Sequence, residues 1–196
     1  MMQFKRFIST TAVKNTYQYI NTQKVYEIIR TVAYFAVSIS LFIAGYVTTK
    51  SNMNLLTIVA VLGCLPASKS LVSTIMFCRF QSCSEKVHDR VCVYDSTLDC
   101  LYDLIFTTEK KTFAIAHGAY KSKCLIFFSE KQDVDATALE AHITEYLKRA
   151  SISGINVKVY TDLDKYCDRL EGLQMLDREG DRLSAEVLKL LKEITL

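Results

Sequence analysis

The nineteen residues from Thr31 to Thr49 (TVAYFAVSISLFIAGYVTT) contain no charge and no proline. Coiled into a helix at about 1.5 Å per residue, they come close to the roughly 30 Å hydrocarbon thickness of a bilayer. Lipid is therefore the first constraint on this chain. A second apolar stretch runs from Leu55 to Cys78, interrupted only by Pro66 and by Lys69 with its flanking serines. Two such stretches joined by the short Lys50–Asn54 connection predict a transmembrane hairpin over 31–78, with spans at about 31–49 and 55–77. A charge near the bilayer centre costs about 2.5 to 3.5 kcal/mol on insertion scales. Lys69, however, lies roughly 21 Å along the helix from Leu55, past the midplane, where its stem snorkels toward the far headgroups. Two other readings are a buried counter-ion or substrate contact, for which neither span offers an acidic partner, and a helix that surfaces near Pro66 and continues in the interface.

Orientation follows from the cations. Lys14, Lys24 and Arg30 precede the first span, Arg79, Lys86 and Arg90 follow the second, and the connection carries only Lys50. The positive-inside rule then places both termini in the cytosol, on a multi-pass protein of the plasma membrane, with residues 1–30 as a basic cytosolic segment. That lead is too long for a cleaved signal peptide, and no small-residue cleavage site follows the apolar stretch. An organelle transit peptide is the other reading, since residues 1–26 hold no acid.

Charge is divided unevenly. Residues 1–90 carry ten Lys/Arg against three Asp/Glu, and residues 91–196 carry fourteen against eighteen, so a +7 half and a −4 half give the net +3. A globular half of negative sign is a poor partner for nucleic acid, whose affinity rests on neutralised phosphates. The basic half suits lipid headgroups instead, so the bilayer itself is the first partner.

From Ser84 the pattern changes to short β runs and amphipathic helices. A helix is predicted over about 84–100, a strand near 104–107, a turn at Glu109-Lys110-Lys111, and a strand over Thr112–Tyr120 (TFAIAHGAY). After a second turn at Lys121-Ser122-Lys123, the continuous apolar run Cys124–Ser129 (CLIFFS) reads as a central strand. Thr137-x-x-Glu140 reads as a capping box ahead of a helix whose apolar stripe is Leu139, Ile143, Tyr146, Leu147 and Ala150, with Gly154 beyond it. Ile155, Val157 and Val159 alternate with polar neighbours as a strand that buries one face. Leu163, Tyr166, Cys167 and Leu170 line the next helix. A joint containing Gly180 precedes a last amphipathic helix within 174–196, with Leu183, Val187, Leu190, Leu191 and Ile194 inward. The fold class is thus α/β (α+β): a transmembrane helical hairpin, then an αβββαβα domain over 84–173 and a terminal helix. Its apolar residues follow packed periods, which predicts that the fragment from Ser84 to Leu196 is soluble without the hairpin.

No residue is assigned a catalytic, cofactor-binding or metal-binding role on this pattern. Asp162-Leu163-Asp164 follows a strand and matches the D-x-D that holds a metal on a sugar-nucleotide diphosphate, but the same residues make good helix caps. Asp133-Val134-Asp135 repeats the arrangement ahead of the other helix. The αβββαβ order is that of the restriction-endonuclease-like core, yet Thr112–Tyr120 holds no acid and Cys124–Ser129 no E-x-K, and Glu130-Lys131 lacks the spacing. His117 is expected to share a strand face with Phe113 and Ile115 as a packed, hydrogen-bonded histidine, without a Cys, Ser or acid at dyad spacing. His88 and His142 are read as surface residues of helices. Seven cysteines (Cys64, Cys78, Cys83, Cys92, Cys100, Cys124, Cys167) without paired spacing predict reduced thiols. Six scattered glycines form no phosphate loop.

The stretches VYEIIRTVAYFAVSISLFIAGYVTT, NLLTIVAVLGCLPASKSLVSTIMFCRF, LYDLIFTTEKKTF and VKVYTDLDKYCDRLEGL resemble an uncharacterised bacterial family of two-transmembrane-helix proteins labelled "O-linked GlcNAc transferase-like". The resemblance spans Val25 to Leu173 and implies glycosyl transfer as the activity to test, with no catalytic residue to carry over. The residues themselves point to a membrane-tethered interaction or assembly module that pairs with itself or with another protein. Ala36, Ser38, Ser40, Ala44 and Gly45 would let a second helix approach the first span closely. An enzyme acting through unidentified acids is the alternative.

Overall fold

The computed structural model describes residues 14–50, 55–108, 111–176 and 181–195. The expected loop residues Ser51–Asn54, the Glu109-Lys110 pair, Gly180 and most of the basic lead lie outside them. The chain divides into two compact units, a helical hairpin containing Ile20–Gln81 and an α/β unit that joins Val13–Tyr19 to Ser82–Leu196.

Two long helices, α1 (Tyr19–Thr49) and α2 (Leu55–Cys78), make the hairpin, and both are long and apolar enough to cross a membrane. Helix α1 begins twelve residues before the expected span, so Lys24, Glu27 and Arg30 are helical too. Helix α2 continues through Pro66 to Cys78, and Lys69 is exposed on its outer side rather than buried against a counter-ion.

The two helices meet along small and hydroxylic side chains. Glu27, Thr31, Ser38 and Gly45 are buried on α1, and Ala60, Ala67 and Ser70 on α2. The α1 residues recur at intervals of four and seven, the spacing of a stripe along one helix face. Of the small residues expected on the first span, Ser38 and Gly45 line this seam, whereas Ala36, Ser40 and Ala44 face outward. Thr31 Oγ1 is 2.8 Å from Ser70 Oγ and 2.9 Å from Thr74 Oγ1, and the Ser70 hydroxyl donates to Glu27 at 3.4 Å.

A Cβ at Gly63 would sit 2.7 Å from Ser38 Oγ. Rotation of one hydroxyl relieves alanine there, but nothing relieves a branched side chain. Gly63→Leu is accordingly expected to destabilise the helix pair by about 1–3 kcal/mol, read as a lowered unfolding midpoint of the full chain in detergent. Leucine tolerated at that position would mean that the helices do not approach so closely.

The α/β unit contains α3 (Glu85–Val91), β1 (Asp99–Thr107), β2 (Thr112–Lys121), β3 (Cys124–Phe128), α4 (Ala136–Arg149), β4 (Asn156–Tyr160), α5 (Leu163–Gln174) and α6 (Asp181–Ile194). The strands form one mixed sheet in the order β1-β2-β3-β4, with the first two pairings antiparallel and the last parallel. Ser122 and Lys123 turn β2 into β3 at φ 47° and 62°, the two positive angles that a tight hairpin with right-handed twist requires.

Helices cover both faces of the sheet. Leu104, Phe106, Phe113, Ile115, Leu125 and Phe127 pack with α4 and α6, through residues such as Leu139, Ile143 and Val187. On the other face Tyr102, Ala119, Ile126 and Phe128 pack with α3 and α5, through Val87, Val91, Tyr166, Leu170 and Leu173. Strand β3 is buried on both faces, which is why its sequence is apolar throughout.

Three local expectations are corrected. The helix expected over 84–100 ends at Val91, continues as a 3-10 turn over Cys92–Tyr94, and gives way to a strand at Asp99. Asp95, Ser96 and Thr97 compete for backbone bonds as turn residues do, and the Tyr94 carbonyl accepts the N–H groups of Thr97 and Leu98. The capping box is also absent: Asp135 caps α4 by accepting from the Ala138 N–H at 3.1 Å. Glu140 instead accepts the Val159 N–H at 2.8 Å, on the edge strand β4, blunting an edge that would otherwise be open to pairing.

His117 lies on the face opposite to the one expected. Simple alternation from Phe113 and Ile115 puts it with α4 and α6, but it packs against Tyr102 and Tyr166 on the α5 side. Asp103 is the cause. It sits within β1 at φ 54°, buried, with its carboxylate accepting the Cys83 N–H at 2.7 Å. On either side of it the alternation shifts by one, and β2 follows between Ile115 and Gly118.

Candidate functional site

The shift at Asp103 brings together a polar cluster that no sequence spacing announces. The turn after α3 carries Asp95 back over β1, where Cys100 and Tyr102 project from the same face. The β1–β2 register sets His117 directly opposite Tyr102. Helix α5 closes the arrangement with Tyr166, the largest fully buried side chain among the described residues.

Within this cluster one ligand atom each from Asp95, Cys100 and His117 lies within 4.8 Å of the others. The Tyr102 hydroxyl is 2.8 Å from both Asp95 carboxylate oxygens. His117 Nδ1 is 2.7 Å from the Tyr166 hydroxyl. Its Nε2 faces Asp95 at 3.9 Å, beyond hydrogen-bond reach, and is buried without a partner. Behind it, Tyr102 crosses the imidazole edge-on at 4.6 Å between centroids. Nearby, Tyr17 stacks on His88 at 3.7 Å, so His88 is a packed residue rather than the surface one expected, with its Nδ1 also buried and unpartnered.

Electrostatics fix the charge states. Burial pushes the Asp95 carboxyl up, but the surrounding His117 imidazole, Tyr102 hydroxyl and Cys100 thiol outweigh it and hold the group below its ordinary value. Burial and the Asp95 charge push the Cys100 thiol far up, and burial pulls His117 down against the opposing effect of Asp95. At neutral pH the cluster is therefore a carboxylate, a thiol and a neutral imidazole. A protonated thiol is a weak nucleophile. A nucleophilic triad would also need the second ring nitrogen on an acid, whereas here it is on a tyrosine.

The other candidate residues are engaged separately. Asp162 caps α5, accepting from the Asp164 and Lys165 N–H groups at 3.0 and 3.4 Å, and Asp164 pairs with Arg90 at 2.6 Å. These backbone bonds hold the Asp162 carboxyl below its ordinary value. Its contribution to stability is thus present at neutral pH and fades as pH falls through the range below about 4. Asp135 caps α4 and reaches Lys111 at 3.4 Å. Glu130 accepts the Ser84 N–H, and His142 lies against the ring of Tyr146. Cys83 is buried, its thiol pushed up to about 12 by desolvation and by the neighbouring Glu130 and Asp103 charges.

Replacing both Asp162 and Asp164 by Asn is expected to leave the fold intact, since Asn caps nearly as well as Asp. No Mn²⁺ heat should appear by calorimetry in the parent chain beyond that in the double variant. A micromolar site that vanishes with the double substitution would restore the D-x-D as a metal motif.

What sequence reasoning missed was the meeting of Asp95, Cys100 and His117. The Asp95-Ser96-Thr97 breaker, read as the end of a helix, would have placed Cys100 and Tyr102 on one strand face. Comparison with protein-family models, with curated proteins and with solved structures finds no match to this chain.

Proposed function

We propose that this protein is a membrane-anchored module whose hairpin crosses the plasma membrane with both chain ends in the cytosol, and whose α/β unit serves there for interaction or assembly. The observation that carries the anchorage is the outer surface of the hairpin. Val32, Val47, Leu55, Leu65 and Val72 are 62–76% exposed, amid many similar neighbours. Apolar surface on this scale is unfavourable in water and at home in lipid, where the helices also satisfy their own backbone groups. Orientation rests on the cations that flank the spans. Outward-facing Ala36, Ser40 and Ala44 permit close approach of a second copy's helix.

We further infer a restriction-endonuclease-like topology for the α/β unit, supported by the element order and the parallel fourth strand. An interaction role rather than glycosyl transfer is supported by Asp162 and Asp164, which are engaged in capping and in the pair with Arg90. The specific observation in favour of an enzyme is the Asp95–Cys100–His117 cluster.

A membrane-impermeant maleimide tests the topology. It is expected to label Ser51→Cys in intact cells and to leave the parent chain, with Cys124, unlabelled until the cells are opened. The reverse pattern overturns the orientation. Native mass spectrometry from mild detergent then reads assembly: a homo-oligomer or a stoichiometric protein partner supports the module, and a bare monomer speaks against it.

A further inference from the structure

His117 is fully buried, and its Nε2 finds no hydrogen-bond partner. Native interiors seldom leave such a nitrogen unpaired. It is aimed at a carboxylate oxygen 3.9 Å away, with a thiol sulfur also inside a 4.8 Å circle. We propose that Asp95, Cys100 and His117 form a binding site for one divalent transition-metal ion of the zinc class.

The donor set suits that class. Nitrogen, sulfur and carboxylate oxygen are the ligand atoms zinc takes, at bond lengths of about 2.0 to 2.3 Å. Tetrahedral ligand atoms on such bonds stand roughly 3.3 to 3.8 Å apart, so the 3.9 Å separation of His117 and Asp95 is already close to a bound geometry. Part of the remaining contraction is open to Asp95, which sits on a turn with its side chain 39% exposed.

The outer partners are those a metal site uses. Tyr166 engages His117 Nδ1, so donation from Nδ1–H to the tyrosine oxygen leaves the Nε2 lone pair for the ion. Tyr102 donates to Asp95 and orients the carboxylate. Binding replaces the proton on the Cys100 sulfur by the metal and releases that proton to solvent, as a coordinating thiol requires. Three protein ligands leave one tetrahedral position open on the exposed Asp95 side, the arrangement of a site that takes an exchangeable ligand.

This site does not depend on the membrane reading, and the two tests fail separately. The full chain in detergent, stripped with a chelator, is titrated with Co²⁺ as a coloured substitute for Zn²⁺. One equivalent should produce a thiolate-to-cobalt charge-transfer band and tetrahedral visible absorption, both displaced by Zn²⁺. Cys100→Ser should abolish the charge-transfer band. Tyr166→Phe should keep the band but weaken binding roughly 10- to 100-fold, the usual cost of losing an outer partner. Cys167→Ser, outside the cluster, should change neither. Absence of the band in the parent chain, or its persistence in Cys100→Ser, overturns the proposal. X-ray absorption of the loaded parent chain is a variant-free check: sulfur and nitrogen together around the metal support the site, and a shell of oxygen and nitrogen alone overturns it.

Discussion

A fragment beginning at Ser82, which keeps the bond from the Cys83 N–H to Asp103, is expected to melt more than about 10 °C below the α/β unit of the intact chain, although all four strands lie downstream of that residue. The reason is the short segment ahead of the hairpin. The Asn15 carbonyl accepts the Tyr102 N–H at 2.9 Å, on the outer edge of β1. Its side chain donates to the buried Thr195 hydroxyl at 3.2 Å, and Thr195 bridges to Phe106 further along the same strand. Lys14 donates to the carbonyls of Lys192 and Thr195 at the end of α6, and Tyr17 covers His88. Asn15 adopts φ 66°, a conformation that asparagine tolerates better than most residues. Truncation strips the edge of β1 and leaves buried polar groups unpaired at about 1–3 kcal/mol each, and it presents a strand edge to other chains. Scanning calorimetry should therefore separate the Ser82 fragment from one in which residues 13–19 are joined to Ser82 by a flexible linker, with the second recovering most of the loss. Equal melting of the two fragments would show that the segment contributes nothing, and that the domain begins where its composition changes.

Elements governed by composition and short-range pattern were legible in the chain. CLIFFS was legible as a strand buried on both faces because Leu125–Phe128 within it offers no polar side chain to water. The two long apolar stretches were legible as helices because in lipid each backbone group would need a partner within its own segment. Asp162 was readable as a cap because capping is a local bond. The failures lie where a long-range contact outweighed a local pattern. Thr137-x-x-Glu140 matches a capping box, but Asp135 stands one residue before the helix and takes that role, leaving Glu140 for a strand nineteen residues away. The face of His117 follows from period-two alternation only in a regular strand, and Asp103 breaks the regularity by entering the left-handed region to reach the Cys83 N–H. No pattern local to Asp103 reports the position of that N–H. The polar cluster was hidden for the same reason, since Asp95 and Cys100 meet His117 only through the β1–β2 register. Burial also hides chemistry: His117 among Phe113, Ala114, Ile115 and Ala116 looks like one more core residue.

Tyr166 is where packing and polar chemistry are most tightly joined, and Tyr166→Ala is expected to cost about 3–5 kcal/mol, the range for deleting a buried aromatic ring. The ring is completely buried between β2, β3 and β4, with His117 at 5.8 Å, Phe128 at 5.3 Å and Tyr160 at 5.9 Å between centroids. Its removal opens a cavity beneath α5 that Leu170 and Leu173 on the same helix cannot fill without shifting their own buried contacts. Tyr166→Phe separates the two contributions. It keeps the ring and strips the hydroxyl from His117 Nδ1, so an imidazole whose Nε2 already lacks a partner loses its remaining hydrogen bond. That loss should cost about 1–3 kcal/mol, less than the alanine variant because no cavity forms. Urea unfolding of the full chain in detergent, followed by the near-ultraviolet signal of the tyrosines, gives both values. A phenylalanine variant as damaged as the alanine variant would mean that the hydroxyl, and not the ring, holds α5 to the sheet. A neutral alanine variant would mean that α5 is not seated on this face at all.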